Sequence, residues 1–203
     1  MKSHFDPIHQ QQNIESKIVS ALERISEAFR VLLWKESNEY SLSPIQIQII
    51  IFLFFQKKES RTVSKLAKEF NLTKATVSDS IKKLEEKKLI IKKNDLNDSR
   101  SYTIELTNDG KNIAKKVSLF ADEFTEPIYN LTDEQKEILL KSLLDLIYKF
   151  NQAGIITIQR MCLTCRFYSK KSSSNHYCNL LELPLKTSEL RIDCPEHQAK
   201  IVA

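Results

Sequence analysis

The sequence predicts a mainly α-helical fold, and three observations carry that prediction. Only two glycines, Gly110 and Gly154, occur in 203 residues. Tight hairpins that need positive φ are therefore few. Leu, Ile, Lys and Glu recur over long stretches at helical spacing, which favours helices both by propensity and by pattern. All four cysteines lie beyond residue 160, at Cys162, Cys165, Cys178 and Cys194, so a cysteine-free body precedes a small cysteine-rich module. With 41% hydrophobic and 28% charged residues, the chain has the balance of a folded globular protein.

The same counts exclude several classes. Two glycines far apart cannot build a P-loop or a dinucleotide fingerprint, each of which needs clustered glycines so that backbone approaches phosphate. No run of 18 uncharged apolar residues occurs, and the start MKSHFDPIHQQQN has neither an apolar core nor a small-residue cleavage site. The expectation is a cytoplasmic protein without a membrane partner. Its net charge of +5 is unevenly spread: residues 57–116 hold 16 Lys and Arg against 9 Asp and Glu, so the remainder sums to −2.

Residues 1–13 form a polar leader, expected to be flexible. Ile14, Ile18, Leu22, Ile25, Phe29 and Leu32 then recur three or four residues apart, which predicts an amphipathic helix over 14–36. Ser43-Pro44-Ile45-Gln46 supplies an N-cap, a first-turn proline and a capping-box glutamine for the run IQIQIIIFLFF. Alternating β-branched residues would also suit a strand, but the start signal and the uninterrupted stretch to Lys57 favour a buried helix.

Over residues 62–87, Thr62 caps VSKLAKEF, Asn71-Leu72 turns the chain, and Thr73 caps a second helix. This is a helix-turn-helix. Val77, Ile81 and Leu84 share one face of the second helix and direct Ala75, Ser78, Asp79, Lys82 and Glu86 roughly the opposite way. LIIKK and SYTIEL then read as two strands over 90–106, joined by NDLNDSR, a wing with Arg100 near its tip. Further helices follow over 108–153. Ile113, Val117, Phe120 and Phe124 make a stripe that ends at Pro127, and Thr132–Gln135 forms a capping box. The last long helix carries two stripes, Leu139/Leu143/Leu146/Phe150 and Leu140/Leu144/Ile147. So wide an apolar face suggests that part of it meets a second chain. Gly154 ends or kinks this helix. The body therefore spans 14–158 as a winged helix-turn-helix with long dimerisation helices, and the tail spans 159–203.

Residues 14–153 resemble the MarR family of bacterial transcription regulators. The most specific part of the likeness is Asp98-x-Arg100 followed by Leu106-Thr107-x-x-Gly110. TVSKLAKEFNLTKATVSDSIKKLEEKKLI is also similar to that family's helix-turn-helix, except that Lys88 stands where the family commonly has glycine. The resemblance implies a homodimer with one winged helix per subunit, and often a small ligand or thiol-based signal that releases DNA.

On the second helix, Lys74, Thr76 and Ser78 are candidates for phosphates or base edges, and Lys82 for either. Asp79 either accepts from a cytosine amino group or pairs with Lys83, the second reading being preferred. Lys83, Lys87, Lys88, Lys92 and Lys93 add general attraction to phosphate. Arg100 is a candidate for the minor groove and a partner for Asp98, two compatible roles. Phe29, Trp34, Phe52, Phe54, Phe55 and Phe120 line either an effector pocket or, more commonly for such spacing, the core.

The tail reads Cys162-x2-Cys165-x12-Cys178-x15-Cys194, with His176 and His197 interspersed. A tail this short with the polar loop SKKSSSN needs a staple. Disulfides suit secreted chains, and a thioredoxin-type motif needs a βαβ setting. Zinc on four thiolates is the preferred reading, with His176 or His197 as a substitute ligand. An iron-sulfur cluster, which accepts wider spacing, is the alternative, and a metal-free thiol switch the third. No Ser-His-Asp, Cys-His or paired-carboxylate constellation is legible, so the chain is not expected to be an enzyme. The expected function is DNA-binding transcription regulation by a homodimer on an inverted-repeat operator. A metal or redox sensor gated by the cysteine module and a protein-interaction adaptor are the alternatives.

Overall fold

The computed structural model describes residues 3–94, 102–170, 172 and 175–200. The chain folds as two compact units, Met1–Leu66 with Ala75–Thr125 and Ala67–Lys74 with Glu126–Ala203.

In the first unit the leader is not featureless. Asp6 accepts from the amide of Ile8 at 3.0 Å and Pro7 occupies the first turn, so Pro7–Gln12 forms a short helix, α1. Gln10 Nε2 then donates to Ser20 Oγ at 2.9 Å and ties α1 to the next helix. That helix, α2 (Ile14–Tyr40), runs one turn past the expected residue 36. Ser41, at φ 50, closes it.

The ambiguous apolar run is a helix, α3 (Pro44–Phe55). The capping box forms as expected: the amide of Ser43 donates to Gln46 Oε1 at 2.9 Å and the amide of Gln46 to Ser43 Oγ at 3.4 Å. Ile47, Ile49, Ile50 and Leu53 are completely buried, which explains the near-absence of polar alternation along the run. Each such side chain contributes roughly 1.5–3 kcal/mol by leaving water. α3 packs against α2, β2 (Tyr102–Leu106) and α6 (Asn108–Val117).

Helix α4 (Val63–Glu69) starts where Thr62 Oγ1 accepts from Lys65 N, and α5 (Lys74–Glu86) follows. Val77, Ile81 and Leu84 are completely buried, the face that their spacing predicts. β1 (Ile90–Asn94) pairs antiparallel with β2, Ile90 opposite Leu106 and Asn94 opposite Tyr102. Ile104 N also donates to Arg61 O at 2.9 Å, so the residue just ahead of α4 anchors the hairpin.

One expected helix is shorter than its stripe. α6 stops at Val117, where Ser118 Oγ turns back to Lys115 O at 2.9 Å. A 3-10 turn at Asp122–Phe124 continues the stripe instead. Its rings still serve packing: Phe124 stacks on Phe29 with centroids 4.0 Å apart, and Phe120 meets Phe29 edge-on at 6.5 Å.

The second unit is built on α8 (Asp133–Gln152), which follows the short α7 (Thr125–Tyr129). Thr132 and Gln135 cap α8 reciprocally, as their spacing predicts. Gly154, at φ 71, terminates it. Gly154 N bonds Asn151 O and Ile155 N bonds Phe150 O, both at 3.0 Å, a left-handed stop of the kind glycine favours. The tail forms an antiparallel sheet, β3 (Tyr168–Lys170), β4 (His176–Cys178) and β5 (Leu183–Leu185), in that order.

The tail is not without a core. Met161 and Leu190 pack on Leu144 of α8, joined by Leu140, Ile147, Tyr148, Leu163, Tyr168 and Leu185. One of the two stripes on α8 thus covers the cysteine segment. The other keeps Leu139, Leu143 and Phe150 exposed. Among the described residues, no helix is long and apolar enough to cross a membrane.

Candidate nucleic-acid interface and cysteine centre

On α5 the burial of Val77, Ser80, Ile81 and Leu84 turns the opposite arc to solvent. Lys74, Thr76, Ser78 and Lys82 are all exposed, as are Asp79 and Lys83. At 100° per residue, Lys74, Ser78 and Lys82 follow one another at four-residue steps and form a single polar stripe. Thr76 falls at the far edge of the exposed arc, outside that stripe. Arg100 and Asp98 lie outside the described residues.

Some expected phosphate-attracting charges are already engaged. Lys92 Nζ binds Glu85 at 2.6 Å, and Glu105 is shared by Lys93 at 2.6 Å and Lys58 at 3.2 Å. Hydrogen bonding from Lys93, then Lys58, holds the Glu105 carboxyl below its ordinary range. These pairs offset part of the basic surplus, leaving the exposed stripe of α5 as the clearer source of attraction.

The motif residues between helix and wing have mechanical roles. Lys88 adopts φ 59 directly after α5; its amide bonds Glu85 O at 2.8 Å and that of Leu89 bonds Leu84 O at 3.0 Å. The chain thus makes the same left-handed stop as at Gly154, with lysine in a place that suits glycine. Thr107 caps α6 by accepting from Gly110 N at 3.0 Å, and donates to Lys88 O at 2.8 Å. A Cβ on Gly110 would stand 2.0 Å from Leu89 O, so only glycine lets α6 pass that carbonyl. Leu106-Thr107-x-x-Gly110 therefore locks the second strand of the wing, α6 and the end of α5 together.

In the second unit, backbone bonds align the segments that carry the cysteines. Cys162 N donates to Arg191 O at 2.9 Å, and Cys194 N donates to Arg160 O at 2.9 Å. Arg191 N donates to Cys162 Sγ at 3.2 Å, and its guanidinium lies 3.7 Å from Cys194 Sγ. Cys165 bridges to Ala199, and Cys178 stands opposite Tyr168 across the β3–β4 ladder. All four are free thiols. Burial pushes the Cys162 thiol up, and Cys194, Cys178 and Cys165 push in the same direction. Among the described residues, however, no three Cys, His, Asp or Glu side chains stand close enough together to hold a metal ion.

The histidines have other partners. His176 is buried with Nδ1 2.7 Å from the Tyr168 hydroxyl. Burial, then Lys170 and Lys141, lower its pKa. Burial, then Cys162, pushes the Tyr168 phenol up to about 12. His197 Nε2 lies 3.0 Å from Thr164 Oγ1, inside the Cys162–Cys165 turn.

A further cluster gave no signal in periodicity or motif. Arg160 makes a fork on Glu69, Nη1 and Nη2 each 2.7 Å from a carboxylate oxygen, while its Nε reaches Asp193 at 2.6 Å. Thr157 Oγ1 donates to Lys68 O at 2.7 Å and stands 3.1 Å from Asn71 Oδ1. Asn71 Nδ2 in turn donates to Ile155 O at 3.1 Å. Residues 155–160 thus grip the end of α4 and the turn behind it. Asn71 itself sits at φ 54, with Leu72 N on Ala67 O at 2.9 Å.

Two helices joined by a tight turn, followed by a hairpin and flanked by long helices, define a winged helix-turn-helix. Residues 32–117 match the family described as Transcriptional regulator SarA/Rot. The HTH-type transcriptional repressor YetL of Bacillus subtilis (strain 168) is 29% identical over 113 residues, 54% of this chain and 66% of YetL. The HTH-type transcriptional regulator SarZ of Staphylococcus epidermidis is 29% identical over 101 residues, 49% of this chain and 67% of SarZ. The chain thus spans about two thirds of the length of these relatives. In fold it is similar to S. aureus MepR, solved as a DNA complex, with a TM-score of 0.57, 23% identity and 64% and 96% of the two chains covered. A MarR transcriptional regulator from Methanosarcina mazei Go1 gives 0.56, 21%, 68% and 98%. The cysteine segment lies beyond the family match.

Proposed function

We propose that this protein is a sequence-specific DNA-binding transcription regulator of the cytoplasm, acting as a homodimer on an inverted-repeat operator. The observation that carries the reading is the exposed stripe Lys74, Ser78 and Lys82 on α5, opposite the buried Val77, Ile81 and Leu84. Thr76 contacts backbone from the edge of that arc, and Arg100 is assigned to the minor groove beside the wing. The named relatives are regulators and MepR is solved with DNA, which supports double-stranded DNA as the partner here. Dimerisation is supported by apolar side chains left in solvent: Ile14, Ile18 and Ile25 on α2, and Leu139, Leu143 and Phe150 on α8.

The cysteine segment is read as a metal-binding module in which Cys162, Cys165, Cys178 and Cys194 hold zinc, an iron-sulfur cluster being the alternative. Its support is the backbone pairing of the Cys162 and Cys194 segments and the bond from Arg191 N to Cys162 Sγ; as the side chains stand, no three candidate ligands gather among the described residues. A small-molecule effector would find room in a cavity of about 390 Å³ in the first unit, lined by Ser26, Phe29, Arg30, Leu33, Gln48 and Phe120.

The test is binding of the full chain to DNA selected from a random pool, measured across salt concentrations. Lys82→Ala and Arg100→Ala should each weaken binding. Each should also make the salt slope less steep by about 0.9 per lost phosphate contact. Unchanged affinity and slope in both variants would overturn the assigned interface.

A further inference from the structure

We propose that Arg61 is a positioning residue for DNA binding: its guanidinium moors the linker after α3 to the end of that helix, and its carbonyl moors β2 of the wing to the linker. The role in binding rests on the DNA-binding reading above; the mooring itself does not. The linker leaves α3 at Gln56, passes through a 3-10 turn at Lys58–Ser60 and reaches Arg61 one residue ahead of Thr62, which caps α4. Arg61 folds back over this turn. Its Nε and Nη2 donate to Gln56 O at 2.9 and 2.7 Å, and its amide donates to Lys58 O at 3.0 Å. The last turn of α3 carries no basic residue, so the guanidinium supplies the positive charge favoured at the carbonyl end of that helix. A charged donor bonds a carbonyl more strongly than a neutral one. Two such bonds on one oxygen fix the direction in which the Arg61 backbone faces.

In that direction Arg61 presents its own carbonyl, which accepts from Ile104 N at 2.9 Å. Ile104 stands in the middle of β2, opposite Lys92 of β1, and is completely buried. Its amide thus serves the edge of β2 that β1 leaves open. A hairpin of two strands is marginal in water by itself, and this bond gives the wing a partner on its second edge. Glu105, the next residue of β2, reinforces the attachment, since its carboxylate meets Lys58 of the linker at 3.2 Å and Lys93 of β1 at 2.6 Å. From the other side, Thr107 Oγ1 ties the hairpin to Lys88 O behind α5. With both attachments made, the wing is set relative to the exposed stripe of α5 before DNA arrives, and binding spends less on ordering it. This role needs no contact between Arg61 and a phosphate. It acts through the reach of the wing, to which Arg100, two residues ahead of Tyr102, belongs.

The experiment compares the full chain as wild type, Arg61→Gln, Arg61→Lys, Arg100→Ala and the double variant Arg61→Gln/Arg100→Ala, by hydrogen exchange and by affinity for a duplex selected from a random pool. In Arg61→Gln the Ile104 amide should lose protection at least 10-fold while the Ile50 amide in α3 does not change. Affinity should fall about 10-fold in Arg61→Gln and in Arg100→Ala. The double variant should stay within about twofold of Arg100→Ala, because a wing without its arginine gains nothing from being held in place. Arg61→Lys keeps the charge and loses the planar fork, so its affinity should also fall, by roughly threefold or more. It carries the same test where Arg61→Gln loses its helical circular dichroism. Unchanged Ile104 protection overturns the mooring. Lost protection with unchanged DNA affinity overturns the role in binding. Losses that add in the double variant, with Arg61→Lys as tight as the wild type, make Arg61 a direct phosphate contact and overturn its positioning role. A wild type that binds selected and scrambled duplexes alike overturns the functional reading and the role in binding together, and the Ile104 result then stands as a property of the fold alone.

Discussion

Lys88 is the residue at which local strain is most visible. Its φ of 59 closes α5 with the hydrogen-bond pattern that glycine and asparagine adopt freely. A side chain with a Cβ gives up about 1 kcal/mol there. Lys88→Gly should therefore stabilise the folded chain by roughly 0.5–1 kcal/mol, less the entropy that glycine adds to the unfolded state. Gly110→Ala should do the reverse and more, since its methyl would meet Leu89 O at 2.0 Å. Chemical denaturation of the two variants checks both signs; a destabilised Lys88→Gly, or a neutral Gly110→Ala, would contradict this account. The two glycine-related positions of the family motif thus have separate reasons. One needs a left-handed backbone and tolerates lysine at a cost; the other needs empty space and tolerates nothing larger.

At the scale of elements, α8 shows what periodicity can and cannot tell. Its two apolar stripes are visible in the sequence, and so are its capping box and its glycine stop. Which stripe serves which partner is not visible, because both repeat at the same spacing. The structure buries Leu144 to 3% exposure against Met161 and Leu190, and leaves Leu143 at 37%. Leu144→Glu should therefore unfold the cysteine segment, since a carboxylate without a partner enters its core. Leu143→Glu should leave that fold intact and weaken self-association instead. Circular dichroism with sedimentation separates the two. Equal loss of fold in both variants would remove the distinction between a core stripe and a contact stripe. The helix-turn-helix, by contrast, was legible throughout: caps, turn and buried face all follow from side-chain types at fixed offsets. The end of α6 was not, since a serine bonding back to its own helix leaves the apolar period unbroken.

Across the whole molecule, the winged helix-turn-helix body and the exposed polar face of α5 could be read from the chain. The ion pairs of Glu105 could not, because Lys93 and Lys58 lie on other segments and meet it only once the hairpin forms, and neither could the pair of Lys92 with Glu85, which reaches back past the left-handed turn at Lys88. The same holds for the Arg160 cluster, whose partners Glu69 and Asp193 lie 91 and 33 residues away. A single arginine between an irregular linker and a cysteine turn carries no periodic signal. The core between α8 and the tail was hidden for a similar reason: Met161, Leu185 and Leu190 are scattered among polar residues and become a cluster only on a helical platform.

The central claim is that two copies of this chain read one palindromic duplex through α5 and the wing. The most direct measurement is the mass of the complex between the full chain and a duplex selected from a random pool, with a scrambled duplex as comparison. The account predicts two chains per duplex, half-sites about one helical turn or roughly 10 base pairs apart, and affinity for the scrambled duplex lower by about 10³ or more. One chain per duplex, or equal affinity for the selected and scrambled sequences, would contradict it.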